Sequence, residues 1–485
     1  MSAPGPRRAV LRLLAALAVL ALVAPACVRS ERSLAVQGQS GPQKEGEDCL
    51  TPLEKADGPV ELEVWHAINA VAKTTLEELA DEFNASQDDV RVTVRSQGVT
   101  YGEVLQAYIQ GVAGGQLPGL LHADVKDLQV LIDTRTLAPA QECFDAEGIE
   151  PDVIPAARAA LSSEGTYWPA LPTVSSNILY YNQSQFAAAG LDPDDPPGTL
   201  AEVEEAAEAL KASGVDKPLA LLLANGFVEY WVGGVGEQMV NHGDGRDGLA
   251  TEATFDNPAT REVLEWVSRM VRRGLAQPHA VGGVDQFLSV ATEASSMVIE
   301  TSTAATTIEA FVGGQSVDTG GIDAPELDLE GLTPAAGPFP GLEEPGQAQI
   351  GGGAFFIPST NPPEVQAAAW AFSRFMASEA GQVKWHTKGS YLPVGQGVAE
   401  LPAIREFWSS GLAGQMLGVA SEQLAGVDPE RVGPVVGPTT DYASIIEGAL
   451  SRIAYQGASV DAVIAQADRE LDAALERYAE DNAGG

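Results

Sequence analysis

The chain has 485 residues, with 67 Asp and Glu against 28 Lys and Arg, for a formal net charge of −39. Such a field repels nucleic acid and anionic lipid surfaces at long range, and it disfavours an anionic ligand unless the pocket carries its own Lys or Arg. A hydrophobic content of 45% and a mean hydropathy near zero exclude a disordered chain and leave enough length for two or more lobes with separate cores.

Residues 1–27 read as an export signal. Arg7 and Arg8 open it, Ala9 to Ala24 is an apolar run broken by Arg12, and Ala24-Pro25-Ala26 is the small-residue pattern that signal peptidases cut after. The paired arginines leave both the Sec and the twin-arginine routes open. No later stretch reaches about 18 uncharged apolar residues, so the remainder is expected outside the cell and soluble. Cys27 directly follows the cleavage pattern, and the stretch resembles a bacterial lipobox, which implies a lipid on Cys27; ordinary cleavage with a leftover thiol is the alternative. With Cys27 lipidated, Cys49 and Cys143 remain to pair in an oxidising compartment. That bridge would close a loop of roughly 95 residues, worth about 4–5 kcal/mol in the chain-entropy model. Residues 28–58 are polar, rich in Gly, Ser, Gln and Glu, and read as a flexible tether.

The folded part opens on Val60, Leu62 and Val64 alternating with acids, a strand ending in Trp65-His66. A helix follows from about Ala70 to Asn84, then a strand over Val90, Val92 and Val94, a helix from Tyr101 to Val112, and a short apolar run at Leu120-Leu121. Strands alternating with helices imply an α/β lobe on a mostly parallel sheet, with ligands at the carboxyl ends of the strands. A second unit begins near Tyr167-Trp168, with a strand over Asn177–Tyr181 and a helix over Leu200–Ser213 that Thr199 caps. Further helices fit 258–273, 363–378 and about Val460 to Tyr478, while 313–353, dense in Gly, Pro and acids, reads as loop and crossover.

Signals for chemistry are missing. The five histidines lack metal-ligand spacing, and there is no HExxH, CxxC, Walker A loop or G-x-S-x-G elbow. Pairs among 67 acids arise by chance, so they do not point to a hydrolase even though they leave one open.

Three ordered blocks carry a family resemblance. Glu63-Val64-Trp65-His66-Ala67 precedes a helix ending Glu82-Phe83-Asn84. Leu179-Tyr180-Tyr181-Asn182 precedes Phe186, Ala189-Gly190-Leu191 and Pro196-Pro197. Ile350-Gly351-Gly352-Gly353 precedes Trp370-Ala371-Phe372, Lys384-Trp385-His386 and Tyr391-Leu392-Pro393. In this order they resemble family 1 extracellular solute-binding proteins of ABC importers, most of all the glycerol-3-phosphate-binding branch. The resemblance implies a two-lobed periplasmic-binding-protein fold of type II, each lobe a mostly parallel sheet flanked by helices, closing on ligand by a hinge. The expected lobes are 59–172 with about 300–351, and 173–299 with 352–485. It also implies a monomer without cofactor or catalysis, anchored to the membrane by lipid, that hands a small polar solute to ABC permease subunits. A secreted carbohydrate-active hydrolase, or a ligand-sensing module without transport, are the alternatives.

A sugar or polyol site wants aromatic faces for C–H surface and polar groups that fix hydroxyls. Trp65 and His66 at the end of the first strand are candidates on that ground. So are Phe227, Tyr230 and Trp231, an aromatic cluster in a stretch that reads as loop. The resemblance adds Tyr101, Asp124, Ser175 or Ser176, Ser302, Gly352 and Tyr391. The branch also has an arginine near its C-terminal crossing, suited to phosphate. Gly433 to Gly437 and the residues after it lack one, and Glu300 adds negative charge beside Ser302. A sugar, polyol or zwitterionic glycerophosphodiester therefore fits better than a phosphomonoester, with the aromatic cluster available to a cationic head.

Overall fold

The computed structural model describes residues 48–282, 285–315 and 331–482. The expected export signal, Cys27 and most of the expected tether lie outside the described residues. In chain order the strands are β1 Val60–His66, β2 Val90–Ser96, β3 Leu120–Asp124, β4 Leu137–Ala138, β5 Ser162–Ser163, β6 Thr166–Tyr167, β7 Leu171–Ser175 and β8 Asn177–Asn182. They continue with β9 Leu219–Leu222, β10 Ala276–His279, β11 Met297–Thr301, β12 Pro334–Gly337 and β13 Gly351–Pro358.

Two main sheets share one plan. The first runs β2-β1-β3-β13-β4, with β7 also paired to β13, and the second runs β10-β9-β11-β8-β12. In the first, β1 is parallel to β2 and β3 while β13 runs antiparallel to its neighbours. In the second, β9 is parallel to β10 and β11 while β8 runs antiparallel to β11 and β12. The antiparallel strand in each sheet is the one the chain enters after crossing from the other lobe. Two hydrophobic cores follow the sheets: Val64, Tyr108, Leu121, Phe355 and Trp370 belong to one, and Leu179, Trp231, Trp266, Ile446 and Leu471 to the other.

Local chemistry sets the elements that matter for function. In β1 the side chains of Val60, Leu62, Val64 and His66 are buried, and Glu61, Glu63 and Trp65 take the other face, as a period of two requires. Thr100 and Glu103 form a reciprocal capping box that starts the Tyr101–Gly114 helix, so Tyr101 sits at its first turn. Thr199 and Glu202 do the same for the Leu200–Ser213 helix, whose limits match the sequence reading.

Two expectations need correction. The Gly351-Gly352-Gly353 run does not mark a passage into the second lobe. It begins β13, whose Phe355 and Phe356 are fully buried in the first sheet. The helices Pro363–Ala377, Glu379–Gly389 and Leu412–Ala425 therefore pack on the first core, β12 joins the second sheet, and Thr439–Gln456 and Val460–Asn482 return to the second core. Nor is the end of the tether loose. Cys49 is buried and disulfide-bonded to Cys143, and Leu50, Leu53 and Ala56 pack on the first core around a short Thr51–Glu54 helix. The apolar residues spaced through 50–56 are too few to show a period, yet enough to cover a core edge once the disulfide brings them to it.

Candidate functional site

The carboxyl end of β3 turns directly into the facing lobe. Asp124 accepts a hydrogen bond from the Lys126 backbone N–H at 3.0 Å, which caps the Val125–Asp127 turn and sends the Lys126 side chain toward the second lobe. Beneath this turn His122 is fully buried, with Nε2 2.7 Å from Thr173 Oγ1. Burial lowers the His122 pKa to about 3, so the ring is neutral. Tyr101 lies over His122 at 5.5 Å between centroids, and Tyr391 meets it edge-on at 6.3 Å. Tyr101 and Tyr391 share a hydrogen bond between hydroxyls, and burial raises both pKa values, Tyr391 to about 12.

The Tyr391 loop is held from behind. Its ring stacks on Trp385 at 4.8 Å and 3°. Trp408 Nε1–H donates to His386 Nε2 at 2.8 Å, which leaves the imidazole proton on Nδ1 to donate to the Tyr391 carbonyl at 2.9 Å. Ser390, at φ 63°, donates its hydroxyl to Thr306 Oγ1 at 2.7 Å.

The opposite wall is the Asn225–Gly234 helix. Glu229 is fully buried, takes a 2.6 Å hydrogen bond from Asn225 Nδ2 at Oε1, and holds Oε2 2.5 Å from Lys126 Nζ. That ion pair joins the lobes. Lys126 also stands 5.8 Å from the Tyr230 ring centroid. Burial works against its charged form, but Glu229, Tyr230 and Asp124 outweigh it and raise its pKa. Asp124 is pushed up by burial against the pull of Lys126, and Asp127 well up by burial and by Asp124. Burial likewise raises Glu447, on the adjoining Thr439–Gln456 helix.

Glycines let β13 pass between the walls. A Cβ on Gly353 would come within 2.8 Å of both His122 Nε2 and the Tyr101 hydroxyl, and one on Gly351 would strike the Tyr230 hydroxyl. Gly352 adopts φ +89°, where a side chain is strained.

At the rear of the gap Arg246 bridges the lobes. Three successive residues, His242, Gly243 and Asp244, are left-handed, and the Asp244 carboxylate accepts from the Met239 and Val240 N–H groups to hold that turn. The turn delivers Arg246, whose Nε and Nη2 donate to the Gly433 carbonyl at 2.9 and 2.7 Å. Its Nη1 donates across to the carbonyls of Ala159 and Ala160 in the first lobe at 3.0 and 3.3 Å. Lys126, Arg246, Gln349 and Gly433 line a cavity of about 10 Å³, room for about one water. The Lys126–Glu229 pair and the Arg246 bonds thus hold the two lobes in contact across the gap.

The structure gathers Tyr101, Asp124 and Tyr391 on one wall, Tyr230 on the other, and Ser175 and Gly352 where β7 meets β13. Of the remaining candidates, His66 lies beside His122 beneath the first wall, and the others lie elsewhere. Trp65 donates from Nε1 to Glu63 at 2.6 Å on the outer-leaning face of β1. His66 accepts from the Ile68 N–H at Nδ1, and burial lowers its pKa to about 4. Ser176 and Ser302 bond each other where the chain crosses: the Ser302 N–H donates to the Ser176 carbonyl at 2.8 Å, and Ser302 Oγ accepts from the Ser176 N–H at 3.3 Å. Ser176 Oγ also accepts from Gln423 at 2.6 Å. Phe227 and Trp231 lie in a helix, not a loop, with Trp231 stacked on Phe339 and donating to the Pro340 carbonyl, so both belong to the second core. The sequence reading placed the 122–126 segment at the ligand end of the first sheet but named none of His122, Lys126, Asp127, Glu229 or Arg246 as a contact. One signal was present for Lys126, a rare cation two residues beyond a carboxylate at a strand end.

Known proteins agree with this architecture. The sn-glycerol-3-phosphate-binding periplasmic protein UgpB of Escherichia coli is 23% identical over 380 residues, 74% of this chain and 80% of that one. UgpB from Mycobacterium tuberculosis, solved in complex with glycerophosphocholine, superposes with a TM-score of 0.68 at 19% identity, covering 86% of this chain and 99% of that one. The GacH receptor of Streptomyces glaucescens, solved unliganded and with acarbose, gives 0.68 at 18% identity, covering 86% and 98%. The family model for bacterial extracellular solute-binding proteins matches residues 78–410. With two sheets of one plan closing on a shared gap, the chain belongs to the bacterial extracellular solute-binding protein family.

Proposed function

We propose that this protein captures a sugar, polyol or zwitterionic glycerophosphodiester outside the cell membrane and delivers it unchanged to an ABC permease. Tyr101, Asp124 and Tyr391 on one wall, Tyr230 on the other, and the backbone at Ser175 and Gly352 form the contact set. The observation that carries the reading is the facing of polar and aromatic groups from two independent cores across one closable gap. Aromatic faces cover C–H surface, hydroxyls and carboxylates fix the solute's hydroxyls, and closure is favoured by a ligand that touches both walls. The solutes named for the similar proteins, glycerophosphocholine and acarbose among them, support this class. On this reading residues 1–27 act as export signal, Cys27 carries the lipid, and the protein works as a monomer on the outer face of the cell membrane.

A thermal-shift screen of the mature protein with polyols, disaccharides and glycerophosphodiesters tests the capture. The melting temperature should rise with the concentration of a bound solute, and the solute should be recovered intact. Turnover of the solute would contradict the reading. Lipidation is tested by labelled-palmitate incorporation, which Cys27→Ala should abolish.

A further inference from the structure

The Lys126–Glu229 pair has no part in holding either core together, since its partners come from opposite lobes. The fold makes room for it. Gly226 leaves the seat for the ammonium, because a Cβ there would stand 2.9 Å from Lys126 Nζ. Asn225 fixes the far oxygen of Glu229 at 2.6 Å. The carboxylate is fully buried, while the Lys126 side chain keeps 27% of its surface exposed and lines the cavity between the lobes.

We infer, on the reading of this gap as the solute site, that Glu229 sets its charge selectivity by holding Lys126 in an ion pair across the lobes and so excluding solutes of net negative charge. An anionic group that took Lys126 would leave Glu229 buried beside Asp124 and Glu447 without its counter-ion, a costly state. A neutral polyol leaves the pair intact. A zwitterion replaces each partner with a charge of the right sign, the cation toward Glu229 and Tyr230 and the anion toward Lys126. Of the two cations lining the gap, Lys126 is thereby already neutralised, and Arg246 is committed through Nε, Nη1 and Nη2 to the carbonyls of Gly433, Ala159 and Ala160.

The test measures dissociation constants by calorimetry for maltotriose, glycerophosphocholine and glycerol 3-phosphate, on wild type, E229Q, K126Q and the double variant, with melting curves confirming folding. Wild type should bind at least one of the two net-neutral probes and bind glycerol 3-phosphate at least about tenfold more weakly. E229Q, nearly isosteric, should bind glycerol 3-phosphate at least about tenfold more tightly than wild type, because Lys126 then no longer has its buried counter-ion to give up. Adding K126Q should remove that gain. Wild type that binds glycerol 3-phosphate as well as the neutral probes overturns the inference, even if E229Q does not fold. So does a folded E229Q without gain. If no probe binds any variant, the solute-binding reading of the gap falls as well, which separates the two failures.

Discussion

Arg246→Met should shift the protein toward an open form. In the closed lobes the guanidinium makes two bonds to Gly433 on the crossing segment, and Nη1 donates to the Ala159 and Ala160 carbonyls of the first lobe, the first at 3.0 Å and the second, longer, at 3.3 Å. The Gly433 bonds join Arg246 to the segment packed on its own turn, where the Val435 N–H donates to the Asp244 carbonyl at 2.8 Å, and they are expected to survive opening. The Nη1 contacts reach the other lobe and are lost on opening, and the shorter one alone sets a lower bound. A hydrogen bond with one charged partner is worth about 1.5–3 kcal/mol net. Burial works against this group, lowering its pKa from 12.5 to about 10, so the lower part of that range applies. About 2 kcal/mol is a factor of about 30 in the closed-to-open ratio. Small-angle scattering of the ligand-free protein should show a larger radius of gyration in Arg246→Met, and solute affinity should weaken by up to the same factor because binding must then drive closure. Arg246→Lys should fall between, since one ammonium cannot span Gly433 and Ala159 in a fixed fork. A folded Arg246→Met protein with wild-type scattering and wild-type affinity would refute the latch.

Other outcomes follow from the same geometry. Replacing Cys49 and Cys143 by Ser should lower stability by up to about 4–5 kcal/mol for a separation of 94 residues, read by denaturant unfolding. Gly351→Ala should weaken solute binding at least about tenfold with little loss of melting temperature, because its Cβ displaces the Tyr230 hydroxyl. Trp231→Ala should instead cost about 3–5 kcal/mol of stability, the loss of a core side chain. His386 should appear by nitrogen NMR as the neutral Nδ1–H tautomer and stay neutral until about pH 4. Its folded pKa is lowered by burial from 6.5 to about 4, so its contribution is present above pH 6.5 and lost as pH falls toward 4, by about 3 kcal/mol. Titration near pH 6.5 would contradict that assignment.

Period and caps were legible in the sequence because they are local. Val60, Leu62 and Val64 alternate, and Thr199 with Glu202 closes a box within four residues, so strand and helix limits needed nothing from the rest of the chain. Tyr101, Asp124 and Tyr391 were reachable because they sit at ends of such elements or in a segment resembling a known family. What decided the rest was pairing across long sequence distances. Trp231 reads the same in a loop or a helix, and its place against Phe339 and Trp266 made it core. Gly351 to Gly353 read as a break, yet β3 and β7 accept the run as strand. Lys126 and Glu229 are separated by about a hundred residues of chain, and one of many acids gains its role through the single lysine opposite it. Composition names the charges; the closing of one lobe on the other decides which of them meet.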